Sequence, residues 1–296
     1  MDNVLTLIGA AGVQLEDALV GRLRTNLRGL GADVAPPDWL SPGRVADIRF
    51  GHLACEQADA AARALLGAVP ADVVAQPAEG RRKQLLVADM DATMVVGETL
   101  DELAEHAGIK DKIAAITARA MNGELVFEQA LRERIALLDG LPESALAETW
   151  ERTRLMPGAQ VLVRTMKASG AYAVLVSGGF TYFTSRVREV CGFDMDLGNR
   201  FIFKKGKLAG VEDPILGRET KLATLLGTAG ERKIPLSMAV AVGDGANDLD
   251  MIRAAGLGVA FHAKPVVAAE ARVRIDHGDL TALLYAQGYR DADFVQ

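Results

Sequence analysis

The stretch Leu85-Leu86-Val87-Ala88-Asp89-Met90-Asp91-Ala92-Thr93 decides the fold of this chain. Four apolar residues in a row read as a strand buried on both faces, and such strands belong to parallel sheets covered by helices. The run ends in two carboxylates two residues apart, so Asp89 and Asp91 share a face of the strand's extension. Burying charge is costly unless the charge is paired or bound to metal. In an open α/β sheet, ligands sit just beyond the carboxyl ends of the strands. The pair therefore reads as a metal-assisted reaction centre. For this stretch alone, an Asp-rich loop capping the next helix is the alternative.

Three further segments follow in order. Residues 172–176 form a second short apolar strand that runs into Ser177-Gly178-Gly179-Phe180. A hydroxyl followed by glycines at a strand end suits phosphate, since Ser177 can donate and Gly178 lets backbone N–H groups come close. Lys221 opens an apolar-periodic stretch through Leu226. Residues 238–242 read as a third buried strand, delivering Asp244, Asn247 and Asp248 onto the turn Gly243-Asp244-Gly245-Ala246-Asn247-Asp248. Singly these are a turn, a surface lysine and a loop. Together, at the ends of apolar strands, they point to phosphoryl chemistry.

In these four motifs the chain resembles the haloacid dehalogenase superfamily of aspartate-nucleophile phosphatases, and within it the phosphoserine phosphatase family, over roughly residues 84–290. Glu98, Met121, Phe127 and Arg134 fall where that family keeps its substrate-reading residues, in a helical cap inserted after the first strand. Met121-Asn-Gly-Glu-Leu-Val-Phe127-Glu-Gln-Ala-Leu-Arg-Glu-Arg134 and Ala260-Phe-His-Ala-Lys-Pro265 are similar to the family pattern nearly residue by residue. Ala92 stands where the family commonly has Ser, and Met90 where Phe is frequent.

The resemblance implies a phosphatase that hydrolyses O-phospho-L-serine to serine and phosphate, the last step of serine biosynthesis. A carboxylate nucleophile splits hydrolysis into two easier displacements through an aspartyl-phosphate. Asp89 is the expected nucleophile and Asp91 the acid, then base. Two carboxylates so close split their proton affinities unless a cation helps. Hard oxygen ligands and phosphate favour Mg2+. The implied ligands are the Asp89 carboxylate, the Asp91 backbone carbonyl and the Asp244 carboxylate. Asp248 is expected to orient a metal-bound water or the substrate amine. Ser177 and the Gly178 N–H would hold phosphoryl oxygens, with Asn247 a further donor, and Lys221 would offset their charge. Glu98 and Arg134 suit the ammonium and carboxylate of phosphoserine, because Arg binds carboxylates in a fork that Lys cannot match. Met121 and Phe127 would form an apolar lid. Alternative readings are a sibling phosphatase or phosphotransferase for phosphothreonine, phosphohomoserine or another small phosphomonoester, and a non-catalytic amino-acid sensor. The intact acidic motifs argue against the sensor.

Composition is that of an ordinary globular protein, with 50% hydrophobic and 24% charged residues. The formal charge of -6, without a Lys/Arg block, argues against a nucleic-acid partner. Cys55 and Cys191 lack metal-ligand spacing, and no apolar run reaches membrane-spanning length. A cytoplasmic location is the default expectation, without a membrane partner. The expected fold is α/β. A Rossmann-like, mainly parallel sheet occupies residues 84–296, with the helical cap at about 98–156. Residues 1–80 form a small α+β unit, since strands at 4–8 and 45–50 alternate with helices at 15–30 and 57–66. That unit is faintly similar to ACT-like regulatory domains, which suggests serine feedback. A dimerisation module, giving a homodimer, or a purely structural one is the alternative. Residues 70–84 read as a linker with a short strand at its start.

Overall fold

A computed structural model describes residues 1–121 and 124–296, Met121 by its backbone alone, and arranges their strands in three sheets. The N-terminal part runs β1 (Asn3–Gly9), α1 (Asp17–Gly29), β2 (Asp33–Val34), β3 (Asp38–Ser41), β4 (Val45–Gly51), α2 (Cys55–Leu66) and β5 (Ala71–Pro77). Its strands pair antiparallel in the order β2-β4-β1-β5, with β3 also on β4. Period-two alternation sends Leu5 and Leu7 into a core with Leu23, Leu27, Ile48 and Phe50. From the same sheet, Ile8, Val45 and Val74 join the main core of the second unit. The sheet is thus covered on both faces. The expected linker is shorter than the sequence suggests: β5 holds residues 71–77, because its Val73 and Val74 are needed in these two cores.

The second unit opens with β6 (Leu85–Ala88). The helical insertion follows: α3 (Thr99–His106), α4 (Lys110–Met121), α5 (Phe127–Leu137) and α6 (Ser144–Arg152). The chain then passes through α7 (Ala159–Ala168), β7 (Tyr172–Phe180), α8 (Thr181–Cys191), β8 (Met195–Asn199), a hairpin of β9 (Phe201–Lys204) and β10 (Lys207–Val211), and α9 (Arg218–Arg232). It ends with β11 (Ala239–Gly243), α10 (Leu249–Ala254), β12 (Leu257–Phe261), α11 (Pro265–Glu270), β13 (Val273–Ile275) and α12 (Ala282–Ala286).

Six of these strands form one parallel sheet in the order β13-β12-β11-β6-β7-β8. One face packs Val87, Val174 and Ala241 against Leu225 and Ala229 of α9. The other packs Leu86, Ala88, Leu175 and Val242 against Leu162 and Met166 of α7 and the aliphatic side of α12. Each buried Val, Leu or Met among them contributes about 1.5–3 kcal/mol, enough in sum to hold polar groups at the strand tips. Register then fixes the site. Ala88 pairs with Val242 on one side and Leu175 on the other, so the three strands run in step here and Asp89, Ser177 and Asp244 follow at the same edge of the sheet.

The sequence reading missed β8 and β13, short edge strands of five and three residues that carry too little alternation to register. It also ended β7 too early. The strand continues through Ser177 to Phe180, with a shift in its pairing to β8 between Val176 and Phe180. Ser177-Gly178-Gly179 is therefore bulged extended chain rather than a tight turn.

Candidate active site

Asp89 continues the ladder beyond β6, its N–H donating to the Val242 carbonyl at 3.0 Å. The chain then folds back sharply: Ala92 adopts a left-handed φ of 54°, and its N–H donates to the Gly97 carbonyl at 2.8 Å. This turn delivers α3, whose Thr99 N–H donates to Asp91 Oδ1 at 2.9 Å. A carboxylate on the orphan donors of a helix start is favoured by the helix dipole. Asp91 Oδ2 lies 3.5 Å from Ser177 Oγ. Ser177 Oγ itself accepts the Gly179 N–H at 2.8 Å, while its own hydroxyl donates to Asp91 Oδ2.

Beyond β11 the turn folds Asp248 back onto its own start, where Oδ2 accepts the Gly245 N–H at 3.0 Å. Asp248 Oδ1 accepts from Lys221 Nζ at 2.5 Å, and the same ammonium stands 2.8 Å from Asp89 Oδ1. Lys221 reaches this point from the first turn of α9 and is only 2% exposed. Burial pulls its proton affinity down, yet Asp248 and Asp89 outweigh burial and hold the ammonium above its ordinary range. Burial, then the Asp248 charge, raise both Asp89 and Asp244 above the usual carboxylate range.

Oxygens of Asp89, Asp244 and Asp248 lie within 4.8 Å of one another. Three buried carboxylates face one buried ammonium here, with Lys264 Nζ 3.7 Å from Asp244 Oδ2 as a more distant cation. A surplus of buried negative charge on hard oxygen donors fits a divalent cation.

A cavity of about 310 Å³ opens over these strand ends. Asp89, Asp91, Ser177, Gly178, Gly179, Asp244 and Asn247 line its floor, and Glu98, Thr117, Phe127, Leu131 and Arg134 of the helical insertion line its roof. Arg134 is 9% exposed and donates through Nε to the Ala130 carbonyl and through Nη1 to Thr117 Oγ1, both at 3.3 Å. Burial lowers its proton affinity against the pull of Glu98, Asp101 and Asp91. Burial, together with the charges of Asp91 and Asp244, lifts Glu98 to about 7. Burial likewise lifts Asp91, against the Thr99 hydrogen bond.

The structure thus gathers nearly all the residues expected from sequence into one place. Lys221 and Asp248 belong to it from behind: both are buried in the wall, and Asp248 faces Lys221 and the Gly245 amide rather than the cavity. The Met121 side chain lies outside the described residues. Sequence reasoning gave no part to Arg218 and Lys264, which line the cavity, or to Asn199. Asn199 clamps the β7 bulge, donating to the Gly178 carbonyl at 2.8 Å and accepting the Leu216 N–H at 2.8 Å. Lys264 sits in the quoted segment Ala260-Phe-His-Ala-Lys-Pro265, which was its available signal; Asn199 had none.

A family model described as haloacid dehalogenase-like hydrolase matches residues 86–253. A phosphoserine phosphatase of Streptomyces coelicolor is 44% identical over 73% of this chain and 53% of its own length. A crystal structure of a probable phosphoserine phosphatase from Vibrio cholerae superposes with a TM-score of 0.78 at 32% identity, covering 97% of this chain and 86% of that one. A phospho-aspartyl intermediate analogue of phosphoserine phosphatase superposes with a TM-score of 0.65 at 40% identity, covering 69% of this chain and 98% of that one. The chain belongs to the haloacid dehalogenase-like hydrolases and, within them, to the phosphoserine phosphatase family. It spans between about half and two thirds of the length of the first curated relatives that it matches.

Proposed function

We propose that the chain is a Mg2+-dependent phosphoserine phosphatase. One observation carries the reading: a single cavity is lined from the sheet by Asp89, Asp91, Ser177 and Asp244, and from the insertion by Glu98 and Arg134. The relatives named above, one bearing an analogue of a phospho-aspartyl intermediate, support it.

In this reading Asp89, paired with the Lys221 ammonium, attacks phosphorus as the carboxylate, while Asp91, its proton affinity raised by burial, gives its proton to the departing serine oxygen. Asp91 then takes a proton from the water that attacks phosphorus of the Asp89 acyl phosphate, releasing phosphate and restoring the Asp89 carboxylate and the Asp91 acid. Ser177 Oγ–H and the Gly178 N–H hold the phosphoryl oxygens, and Asn247 adds a donor. Lys221 offsets charge on Asp89 and the phosphoryl group, and Asp248 holds Lys221 in place. Asp89, the Asp91 carbonyl and Asp244 would hold Mg2+, which supplies charge neutralisation at the phosphoryl oxygens when bound. Glu98 receives the substrate ammonium and Arg134 its carboxylate. A cytoplasmic location and a homodimer go with this proposal as expectations from sequence.

The test is phosphate release from a panel of phosphomonoesters, with Mg2+ and with EDTA, by wild type and Asp89→Asn. The reading expects selective, Mg2+-dependent turnover of phosphoserine that vanishes in Asp89→Asn. Equal turnover of phosphothreonine or phosphohomoserine, or a KM for phosphoserine unmoved by Arg134→Ala, would reject the substrate assignment.

A further inference from the structure

Asp72 lies on β5 at the edge of the N-terminal sheet and is fully buried. Its carboxylate collects three consecutive backbone N–H groups of the second unit. Oδ1 accepts from Asp276 at 2.7 Å and His277 at 3.2 Å, and Oδ2 from His277 at 3.3 Å and Gly278 at 2.7 Å. A run of N–H groups converging on one anion is a rigid nest, and its charge-assisted bonds are among the stronger ones. The fit is close, since a Cβ on Gly278 would stand 3.1 Å from Asp72 Oδ2.

The loop so held leads to the candidate site. The Gly278 carbonyl accepts from His262 Nε2 at 2.8 Å, and the His262 N–H donates to the Ile275 carbonyl at 2.9 Å. His262 sits at a left-handed φ of 43°, a conformation that an ordinary residue keeps only when its surroundings enforce it. Two residues on, the Lys264 N–H donates to the Asp244 carbonyl at 3.1 Å, and Lys264 Nζ lies 3.7 Å from Asp244 Oδ2. On its other side the loop holds the exit of the helical insertion, where the Leu280 N–H donates to the Pro157 carbonyl at 3.1 Å.

Attachment of the two units alone does not call for this carboxylate. Gln76 Nε2 already donates to the Ala286 carbonyl at 2.6 Å, Arg290 bridges to Asp38 at 2.6 Å, and Ile8, Val45 and Val74 share the main core. A buried charge is weak evidence for stability, because its desolvation cancels much of what its bonds contribute.

We infer that Asp72 is a positioning residue for Asp244, acting through the 276–278 loop, His262 and Lys264, so that the N-terminal sheet is part of the catalytic unit. The inference rests on the reading of Asp244 as a metal ligand. Outer partners of metal ligands typically contribute 10–100-fold in affinity.

Titration calorimetry of the metal-free, full-length protein with MgCl2 tests it directly. Asp72→Asn, which keeps the size but turns an amide toward the N–H groups, should weaken Mg2+ binding about tenfold. At saturating Mg2+ the KM for phosphoserine should stay near that of wild type, while the Mg2+ concentration for half activation rises. His262→Phe should act in the same direction, and the double variant should be no worse than the weaker-binding single one, as expected for two links in one route. Gln76→Leu should lower the melting temperature and leave Mg2+ binding alone. Wild-type Mg2+ binding in Asp72→Asn, or equal weakening in Gln76→Leu, overturns the inference. If Asp72→Asn fails to fold, wild-type Mg2+ binding by folded His262→Phe overturns it instead. A wild type that binds no Mg2+ removes the metal reading and this inference with it. One that binds Mg2+ but spares phosphoserine removes only the substrate.

Discussion

Glu98 is the residue at which the chemistry of the free protein and that of the proposed complex pull apart. With its carboxyl lifted to about 7 by burial and by Asp91 and Asp244, it is about half protonated in the free site at neutral pH, whereas an ammonium partner needs it ionised. Because kcat/KM reports ionisations of the free enzyme, kcat/KM for phosphoserine should rise as pH increases through about 7, and Glu98→Gln should lose that limb. Stability should run the other way. The folded protein holds this proton between pH 4.5 and about 7 while the unfolded chain does not, so raising pH through that window costs stability. Metal-free Glu98→Gln should then melt higher than wild type at pH 8 and gain nothing below pH 4.5. Asp248 gives a contrasting case, since it touches Lys221 and not the cavity. Asp248→Asn should lower kcat on the order of a hundredfold through a misplaced ammonium, with KM for phosphoserine nearly unchanged. The sequence showed Asp248 as a carboxylate on the turn after an apolar run, and Glu98 through the family resemblance. It could not say that Asp248 faces inward, because that depends on how a three-residue turn closes on Gly245.

At the scale of elements, the β7 bulge carries the Ser177-Gly178-Gly179 segment that the sequence placed at a strand end. Gly178 and Gly179 lack side chains because two different neighbours fill that space. A Cβ on Gly178 would stand 2.8 Å from Phe127 Cζ of α5, and one on Gly179 would stand 2.8 Å from Asp91 Oδ2 and 3.0 Å from Ser177 Oγ. Gly178→Ala should therefore push the helical insertion outward and raise KM several-fold with a smaller change in kcat. Gly179→Ala should disturb the acid and the phosphate hydroxyl and lower kcat by on the order of a hundredfold. Steady-state kinetics on both variants separates the two. The central strands were legible because a continuous apolar run has one stable place in a parallel sheet. The edge strands β8 and β13 were not, because their pairing is imposed by neighbours they meet only after folding.

Across the whole molecule, the N-terminal sheet and the parallel sheet share one core, which bears on any attempt to separate them. Removing residues 1–77 would uncover Tyr285, 1% exposed beside β1, and cut the Gln76 and Asp72 bonds. The remaining chain should melt at least about 10 °C lower by calorimetry, or fail to stay soluble. Among the described residues no helix is long and apolar enough to cross a membrane. The sequence by itself determined the α/β architecture and the identities of the strand-end acids, because apolar runs and strand-end carboxylates are local properties of the chain, while the helical insertion came from the family resemblance. Only the tertiary structure decided which acids share Lys221, that Asp89, Asp244 and Asp248 cluster, and that Asp72 reaches across to the 276–278 loop. Those contacts join residues from separate segments, and the register and packing that bring them together are set by the assembled core rather than by any one segment.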